Sequence, residues 1–327
     1  MKKFLNSPQT LLDESLDGFA AAHSDIVIVG EERKFVRRRA LTPGKVALVS
    51  GGGSGHEPLH AGFVGLGMLD AACPGQIFTS PTPDQMAAAV EAVDQGGGVV
   101  FIVKNYEGDV MNFEMAAEMT DGRCTTIVTD DDVAVERSTY STGRRGVAGT
   151  LVVEKIVGAA AEKGMRRADL QTLGQTVNRR TRSMGVALTS CTIPAAGKPN
   201  FNLGADEMEM GVGIHGEPGR RRVKLGSADE IADEMTAAIA GDLGNPGAGE
   251  ALLLVNGFGG TPLLELYLMY NAARRLLEKR GLRIARSLVG SLVTSLDMAG
   301  CSITVSQLDP ETTALWDQPV HTAALRW

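Results

Sequence analysis

The residues best suited to chemistry are histidines that stand beside glycines. His56 follows the run S-G-G-G-S-G at residues 50–55, directly after the apolar residues 46–49. Glycine lets the backbone approach a ligand closely, and the N–H groups of such a loop can hold phosphate or hydroxyl oxygens. A tight strand–helix turn is the structural alternative, but a turn does not require four glycines in five residues. We therefore favour a ligand-binding loop, with Pro58 in the first turn of a following helix.

His215 lies in a second glycine-rich segment, G-V-G-I-H-G at residues 211–216. The segment matches G-x-G-x-x-G, but a dinucleotide fingerprint must open a helix and needs an acidic residue about 20 positions later. The residues that follow, E-P-G at 217–219, cannot continue a helix, which excludes a dinucleotide loop. A single histidine is more often structural than functional. Two histidines on glycine-rich loops after strands indicate a site, because ligands of α/β folds bind at strand ends.

Lys104 and Asp109 flank the segment that follows the apolar run 98–103. For Asp109 the structural alternative has similar weight, since an aspartate can cap a helix that begins directly after it. Lys104 could likewise be a solvated strand end. Taken alone, the residues predict a polar small-molecule site built from His56, Asp109 and His215.

Two motif-like stretches suggest a metal ion, and we reject that interpretation for both. Residues 56–60 read H-E-P-L-H and match the H-E-x-x-H motif of zinc proteases. That motif needs one helix with both histidines on one face, whereas Pro58 would start the helix inside the motif. We therefore exclude zinc and interpret His60 as a structural residue of the first helical turn. The triplet D-D-D at 130–132 could bind a divalent cation, but an acidic turn at the start of a helix is the better interpretation.

The composition excludes several classes of protein. Hydrophobic residues make up 43% and charged residues 22%, which suits a packed core and excludes disordered and fibrous proteins. The formal net charge of −7, with no basic stretch longer than R-R-R at 220–222, argues against a nucleic-acid partner. No apolar run approaches the ~18 residues of a membrane span, and the N-terminal residues lack the apolar core of a secretory signal. Four scattered cysteines are typical of a reduced protein, so we expect a cytoplasmic location.

Short apolar runs alternate with helical patterns along the chain, which predicts an α/β fold. The runs are continuously apolar, so their strands should be covered on both faces. Predicted strands lie at residues 46–50, 98–103, 125–129, 251–255, 282–289 and 302–308, and the stretch 186–199 is predicted to be an irregular connection. Predicted helices lie at residues 84–95, 110–119, 149–163, 168–180, 228–240 and 262–279.

The length of 327 residues suggests two domains at ~150 residues each. The pattern becomes irregular near Gly185, where we place the boundary. Domain 1–185 carries the glycine-rich loop with Lys104 and Asp109, and domain 186–327 carries His215. We expect each domain to be α/β, with a mostly parallel or mixed sheet flanked by helices.

Taken together, the motifs resemble the substrate-binding (DhaK-type) subunits of dihydroxyacetone kinases. The resemblance spans nearly the whole chain in the family's order, which makes it far more specific than any single motif. The matching stretches are residues 45–58, 72–75, 78–83, 104–109, 130–135, 143–148, 191–199, 211–219, 294–298 and 314–317.

The resemblance implies a covalent role for His215, whose neutral imidazole would attack the ketone carbon of dihydroxyacetone and form a hemiaminal. Asp109 would take the proton from the hydroxyl to be phosphorylated, and His56 would hydrogen-bond the substrate and assist as acid or base. The remaining substrate contacts would come from backbone groups and side chains of Gly53, Ser54, Gly55, Ser80 and Lys104.

The resemblance also implies that the nucleotide, ADP or ATP with Mg²⁺, sits on a helical DhaL-type subunit or fused domain. The chain has no G-x-x-x-x-G-K-[ST] loop and ends at Trp327, so we expect no cofactor on this chain and a separate partner subunit. The phosphoryl source is either ATP or, indirectly, a phosphotransferase-system protein. The expected protein is a homodimeric dihydroxyacetone (glycerone) kinase subunit of glycerol metabolism, active only with its partner.

Two alternatives stay open. Erythrulose or another short ketose could bind the same histidine, since the sequence does not measure the length of the pocket. Some relatives are non-catalytic sensors that act as co-regulators of transcription. The presence of both Asp109 and His56 favours the enzyme.

Overall fold

The computed structural model describes residues 2–135, 143–217, 219–244 and 249–327. The chain forms two compact units, each assembled from more than one segment. The first unit comprises Met1–Thr129, Val153–Thr176 and Ala314–Trp327. The second unit comprises Asp130–Val152 and Val177–Thr313.

Helices and strands alternate along much of the described chain. The α-helices are α1 (Leu11–Ala22), α2 (Pro83–Val93), α3 (Glu107–Met119), α4 (Gly149–Glu162), α5 (Arg167–Arg179), α6 (Ala228–Asp242), α7 (Leu263–Lys279) and α8 (Pro310–Trp316). The strands are β1 (Val27–Val29), β2 (Val36–Arg38), β3 (Ala47–Ser54), β4 (Gly65–Leu66), β5 (Ala71–Ile77), β6 (Val99–Lys104), β7 (Cys124–Thr129), β8 (Thr181–Ala187), β9 (Glu207–Met210), β10 (Arg221–Lys224), β11 (Gly249–Gly257), β12 (Leu282–Gly290), β13 (Gly300–Leu308) and β14 (His321–Thr322). Short 3-10 helices lie at Glu31–Arg33 and Ala61–Phe63.

The first unit is built on a mixed sheet with the strand order β1-β2-β5-β3-β6-β7. The run β5-β3-β6-β7 is parallel, whereas β1 and β2 join it in antiparallel fashion. All residues of β3 and β6 are buried, as expected for apolar strands of a parallel sheet covered on both faces. Phe101 of β6 meets Phe113 of α3 edge to face, with the ring centroids 5.0 Å apart. This packing fixes α3 against β6, and Lys104 and Asp109 lie where these two elements are joined.

The second unit contains a sheet with the order β10-β9-β8-β13-β11-β12. β11 and β12 are parallel, and the other described pairs in this sheet are antiparallel. α6 begins at a capping box formed by Ser227 and Glu230, which satisfies the free N–H groups of its first turn. α7 buries an apolar stripe that includes Leu266 and Leu277, and it packs in one core with Ile303 of β13.

The predicted fold class is confirmed, since both units are sheets flanked by helices. Each predicted strand and helix overlaps an observed element of the same type. The stretch from residue 186 was expected to be irregular, but β8 runs to Ala187. Residue 185 lies inside β8. Compact units do not test where independently folding domains begin and end, so the division into 1–185 and 186–327 stays a prediction.

Two local predictions around the glycine run are wrong. The run is not a loop after a strand, because β3 continues through the glycines to Ser54. Residues 55–60 form bends and turns followed by the 3-10 helix, so the helix expected to begin at Pro58 is not formed there.

No helix in the described parts of the chain is both long enough and apolar enough to cross a lipid bilayer. The longest of them, α7, has 17 residues and includes charged side chains such as Glu265 and Lys279.

Candidate active site

The glycines of β3 are explained by close packing inside the first unit. A Cβ atom on Gly51 would lie 2.7 Å from the carbonyl oxygen of Cys73, and one on Gly53 would lie 2.6 Å from the backbone nitrogen of Thr79. Gly55, which follows the strand, has φ +102°, a value that side-chain-bearing residues rarely adopt. The glycines of the strand itself are therefore required by neighbouring atoms, and a left-handed backbone is required only at Gly55.

Gly52 makes room for a buried cation. A Cβ atom at this position would overlap Nζ of Lys104. Lys104 is the last residue of β6, is fully buried and points its ammonium group at the neighbouring strand, where Nζ lies 3.3 Å from the Gly51 carbonyl oxygen. The interpretation of Lys104 as a solvated strand end is therefore wrong.

His60 connects Lys104 to a buried acid, Glu154. Nε2 of His60 lies 2.9 Å from Nζ of Lys104, and Nδ1 lies 2.7 Å from Oε1 of Glu154 on α4. The Ser50 hydroxyl is 3.1 Å from the same Nδ1. His60 is thus a structural residue in the sense that both its ring nitrogens have partners, but it lies in a turn and not on a helix. The match to the zinc-protease motif has no helix to support it, and the described residues contain no cluster that could hold a metal ion.

Asp109 lies on the other side of the Lys104 ammonium. Its Oδ2 atom is 3.5 Å from Nζ of Lys104, and the side chain is buried. α3 begins at Glu107 with Tyr106 as its N-cap, so the alternative role of Asp109 as the N-cap is wrong. Within the described residues, Oδ1 of Asp109 has no hydrogen-bond partner. A buried carboxylate oxygen without a partner is costly, which points to a ligand group that completes this position.

Burial controls the protonation of the His60–Glu154 pair. Burial, followed by the charges of Lys104 and His56, holds the pKa of His60 well below its usual value of 6.5. Burial raises the pKa of Glu154 to about 8, although the Lys104 charge opposes the shift. At neutral pH the His60 imidazole is therefore neutral and Glu154 is mostly protonated.

The other predicted residues of the first unit surround these groups. His56 is buried and stacks on Phe78, with ring centroids 5.0 Å apart. Ser80 lies against the first turn of α3, because a Cβ atom on Gly108 would be 2.9 Å from its hydroxyl oxygen.

Two of the predicted substrate contacts are already engaged within the chain. The Ser54 hydroxyl donates to the Gly75 carbonyl oxygen at 2.7 Å, and the Gly55 N–H donates to the Glu57 carboxylate at 2.9 Å. The structure thus brings Lys104 and Asp109 together and places Ser80 beside the helix that carries Asp109, whereas these two groups of the glycine run serve the fold.

His215 belongs to the second unit, where its loop is held by a buried ion cluster. The His215 N–H donates to the Glu217 carboxylate at 3.0 Å, and Glu217 accepts from Arg145 at 2.9 Å. Arg145 also donates to Asp132 at 2.8 Å and to the Gly211 carbonyl oxygen at 2.7 Å. The His215 side chain is only half-buried, which suits a residue that must meet a ligand.

The backbone of this loop is irregular, as the sequence predicted. Gly211 has φ +75° and Gly216 has φ +70°, and a Cβ atom on Gly213 would clash with the Glu217 carboxylate. These three positions therefore require glycine, two for backbone conformation and one for space.

Two residues of the acidic triplet, Asp131 and Asp132, have different structural roles. Asp131 accepts the backbone N–H groups of Val147 at 2.9 Å and Gly149 at 2.7 Å, at the start of α4. The predicted acidic turn at a helix start is not formed at 130–132, because the next helix of the described chain, α4, begins only at Gly149. Asp131 supports the start of that distant helix. Asp132 instead pairs with Arg145.

Sequence reasoning missed the residues that hold the site groups in place. No role was predicted for Glu154, Arg145 or Glu217, although each is in contact with a predicted or neighbouring site residue. The contacts of Glu154 with His60 and of Arg145 with Glu217 join residues far apart in the chain, so no spacing rule could have found them, whereas Glu217 lies only two residues after His215.

The fold and these groups define an α/β protein with a buried Lys–Asp–His cluster in one unit and an ion-anchored histidine loop in the other. The Dak1 domain model matches residues 17–324, and the chain belongs to this family. The resemblance drawn from the motifs is confirmed.

Individual relatives match at least 95% of the chain. The dihydroxyacetone-binding subunit DhaK of the PEP-dependent dihydroxyacetone kinase of Escherichia coli (strain K12) is 48% identical, over 100% of this chain and 99% of its own length. The solved structure of the dihydroxyacetone kinase operon co-activator Dha-DhaQ has a TM-score of 0.90 at 34% identity and covers 95% of this chain and 97% of its own. The dihydroxyacetone kinase from C. freundii in complex with AMP-PNP and Mg²⁺ has a TM-score of 0.88 at 32% identity, over 98% of this chain but 60% of its own.

Proposed function

We propose that this protein is the substrate-binding subunit of a dihydroxyacetone kinase. The observation that carries the proposal is the buried Asp109, with one carboxylate oxygen beside the Lys104 ammonium and the other without a partner in the described structure. A hydroxyl that attacks a phosphoryl group must lose its proton, and such a carboxylate can accept that proton. The 48% identity to a dihydroxyacetone-binding subunit over the full chain supports the same substrate.

In the proposed mechanism, an imidazole nitrogen of His215 bonds to the ketone carbon of dihydroxyacetone as the carbon–oxygen π bond opens. The ketone oxygen takes up a proton to become the hemiaminal hydroxyl, and the imidazole ring gives up its own N–H proton, so that the adduct differs from the protein by one whole dihydroxyacetone. The glycine-locked loop and its contact with Glu217 hold the histidine in one orientation. A reversible covalent bond fixes a short substrate that offers few other contacts. It also selects ketones over glycerol, which has no carbonyl group.

The terminal hydroxyl of the bound substrate then gives its proton to Asp109 as its oxygen attacks the phosphoryl group. Lys104 and Ser80 supply side-chain donors for the substrate oxygens, and His56 hydrogen-bonds the substrate and assists as acid or base. Gly53 and Ser54 contribute backbone groups only, since the Ser54 hydroxyl is bound to Gly75 and the Gly55 N–H to Glu57.

The phosphoryl group comes from a DhaL-type partner subunit that carries ADP or ATP with Mg²⁺, in a cytoplasmic complex with a homodimer of this chain. Two observations support a separate nucleotide module. The sequence has no phosphate-binding P-loop motif. The C. freundii kinase that binds AMP-PNP and Mg²⁺ is longer, and this chain matches 60% of it.

Covalent capture is tested by soaking crystals with dihydroxyacetone and by native mass spectrometry of the same mixture. We expect continuous density from His215 to the ligand carbon and a mass increase of one dihydroxyacetone. The increase should be lost in His215→Ala and kept in the control His23→Ala, which changes a histidine at the end of α1. A fully occupied site without a bond to His215 would overturn the covalent mechanism.

Turnover is tested by mixing the chain with a DhaL-type subunit and following formation of dihydroxyacetone phosphate. A panel that includes erythrulose and glycerol shows which ketose is preferred. We expect no product from the chain with ATP alone, and product formation without any partner would refute the division of labour.

A sensor function is the second candidate, because the co-activator structure matches at a TM-score of 0.90. A sensor would bind the ketose but would not phosphorylate it with any DhaL-type subunit. Turnover that depends on Asp109 favours the kinase, whereas ligand binding without turnover favours the sensor.

A further inference from the structure

We propose that His60 and Glu154 are positioning residues that hold the Lys104 ammonium in its place beside Asp109. The inference rests on the proposed function, since it concerns how the acid–base group of that reaction is prepared. It assigns a role to two buried residues, neither of which is among the predicted substrate-binding or catalytic residues.

The Lys104 ammonium group is held by acceptors on more than one side. A lysine ammonium has three N–H donors and no acceptor. One N–H is directed to Nε2 of His60 at 2.9 Å, and another is directed to the Gly51 carbonyl oxygen at 3.3 Å. The third remains for Asp109, whose Oδ2 atom lies at 3.5 Å. That distance exceeds the ~2.7–2.9 Å of a tight charge-assisted hydrogen bond, so the donor can also serve a substrate oxygen.

The tautomer of His60 is set by the partners of its two ring nitrogens. Because Lys104 can only donate, Nε2 of His60 must accept and therefore carries no proton. The proton of the neutral ring is then on Nδ1, where it is donated to Oε1 of Glu154 at 2.7 Å. Ser50 gives its own hydroxyl proton to the Ile102 carbonyl oxygen at 2.6 Å, so it too accepts at Nδ1. Glu154 and Ser50 thus fix the tautomer that presents a lone pair to Lys104.

The position of the Lys104 ammonium depends on the acceptor that His60 provides. Lys104 is fully buried, and Gly52 leaves no side chain in the volume that Nζ occupies. Without the acceptor at Nε2, the ammonium would move toward the nearest remaining anion, which is Asp109. A closed Lys104–Asp109 pair would occupy the carboxylate that must take the substrate proton. His60 therefore holds the Lys104 ammonium near the Asp109 carboxylate and prevents the two from forming a tight ion pair.

The charged and titratable groups around His60 give the arrangement a pH dependence. They are Glu154 from α4, Lys104 from β6, His56 from the turn after β3, and Asp109 of α3 on the far side of Lys104. While Glu154 is protonated, the Lys104 ammonium faces a single carboxylate, that of Asp109. Ionisation of Glu154, which has a pKa of about 8, adds a second carboxylate that draws the ammonium away from Asp109. Turnover should then fall on the alkaline side.

The experiment compares two substitutions of His60 in the complex with a DhaL-type subunit. His60→Asn removes the acceptor at the Nε2 position, whereas His60→Gln places an amide oxygen near that position. We expect kcat to fall about 100-fold in His60→Asn, as for other misplacements of a reacting group, and less than about tenfold in His60→Gln. Equal kcat values for the two variants, or a kcat of His60→Asn close to wild type, would overturn the inference.

The pH profile separates positioning from a merely structural role. In Glu154→Gln the alkaline decrease of kcat should move to higher pH, because an amide does not ionise. Glu162→Gln is the matched control on α4, since Glu162 pairs with Arg38 outside this cluster, and its profile should equal that of wild type. An unchanged alkaline limb in Glu154→Gln would refute the role of Glu154.

Failure of the inference and failure of the proposed function give different results. If the protein is not a dihydroxyacetone kinase subunit, the wild-type chain shows neither the His215 adduct nor turnover. If only the inference fails, wild type shows both, and the His60 and Glu154 variants keep wild-type kcat and pH dependence. Native mass spectrometry of the adduct in each variant confirms that substrate capture in the second unit is intact.

Discussion

Replacing Gly52 by alanine adds one methyl group at the point where β3 passes the buried lysine. The new Cβ atom would overlap Nζ of Lys104 and lie 3.4 Å from Nε2 of His60. The backbone of Gly52 is outside the left-handed region, so alanine itself fits the strand. Nζ is the end of a flexible side chain, and the ammonium therefore moves while the strand stays in place.

The size of the effect follows from the contacts that the ammonium loses. Movement breaks the hydrogen bonds to His60 and to the Gly51 carbonyl oxygen. Hydrogen bonds to charged groups each contribute about 1.5–3 kcal/mol, and partial recovery through a new position keeps the expected loss of stability at about 2 kcal/mol. A displacement of about 1 Å at a reacting group lowers turnover by about 100-fold. We thus expect a folded protein with a large catalytic defect.

The assay measures kcat and KM with a DhaL-type subunit, and the free energy of unfolding by urea titration. Gly18→Ala is the control, because Gly18 lies in α1 with no heavy atom within 4 Å of the added Cβ. That control should be more stable by about 0.5–1 kcal/mol and have wild-type turnover. A Gly52→Ala protein whose kcat is within about threefold of wild type would refute the requirement for an ordered ammonium position.

Four further predictions test other parts of the structure. Asp109→Asn should lower turnover by about 10²–10⁴-fold while native mass spectrometry still finds the His215 adduct, and an unchanged rate would show that the base lies elsewhere. Arg145→Met leaves buried carboxylates without their cation and should cost about 3–5 kcal/mol in urea titration, so a loss below about 1 kcal/mol would contradict the anchoring role. Because burial raises the pKa of Glu154 from 4.5 to about 8, stability that is present below the lower value is lost as the pH rises through the higher one. Glu154→Gln lacks this loss, so its urea midpoint should rise relative to wild type between pH 5 and 9, and a constant difference would count against the shift. Burial raises the pKa of Cys301 to about 12, and iodoacetamide at pH 8 should label this thiol only after unfolding.

Local sequence patterns predicted the elements but not the end of β3. The apolar run of β6 and the helix signals around α2 and α3 act within a few residues, so they can be read directly from the sequence. Glycine has a low preference for strands, and the run after Ser50 therefore indicates a loop. The atoms that require glycine there, the Cys73 carbonyl oxygen and the Lys104 ammonium, belong to other strands.

Two residues of the candidate site, Lys104 and Asp109, could be proposed from the sequence, because they lie at and just after the end of an apolar run that predicts a strand. The supporting contacts were not predictable, since 94 positions separate His60 from Glu154 and 72 separate Arg145 from Glu217. Burial of their charges is a property of tertiary packing, which no spacing in the sequence reveals.

The segmented make-up of the first unit has a consequence for its synthesis on the ribosome. Ala314–Trp327 completes this unit, with β14 pairing with β4 and the Trp327 ring 5.5 Å from Nζ of Lys155. These residues are translated after every segment of the second unit. The nascent chain therefore finishes the unit that carries His215 first. The unit that carries Lys104 and Asp109 stays open to chaperones and proteases until its final strand leaves the exit tunnel.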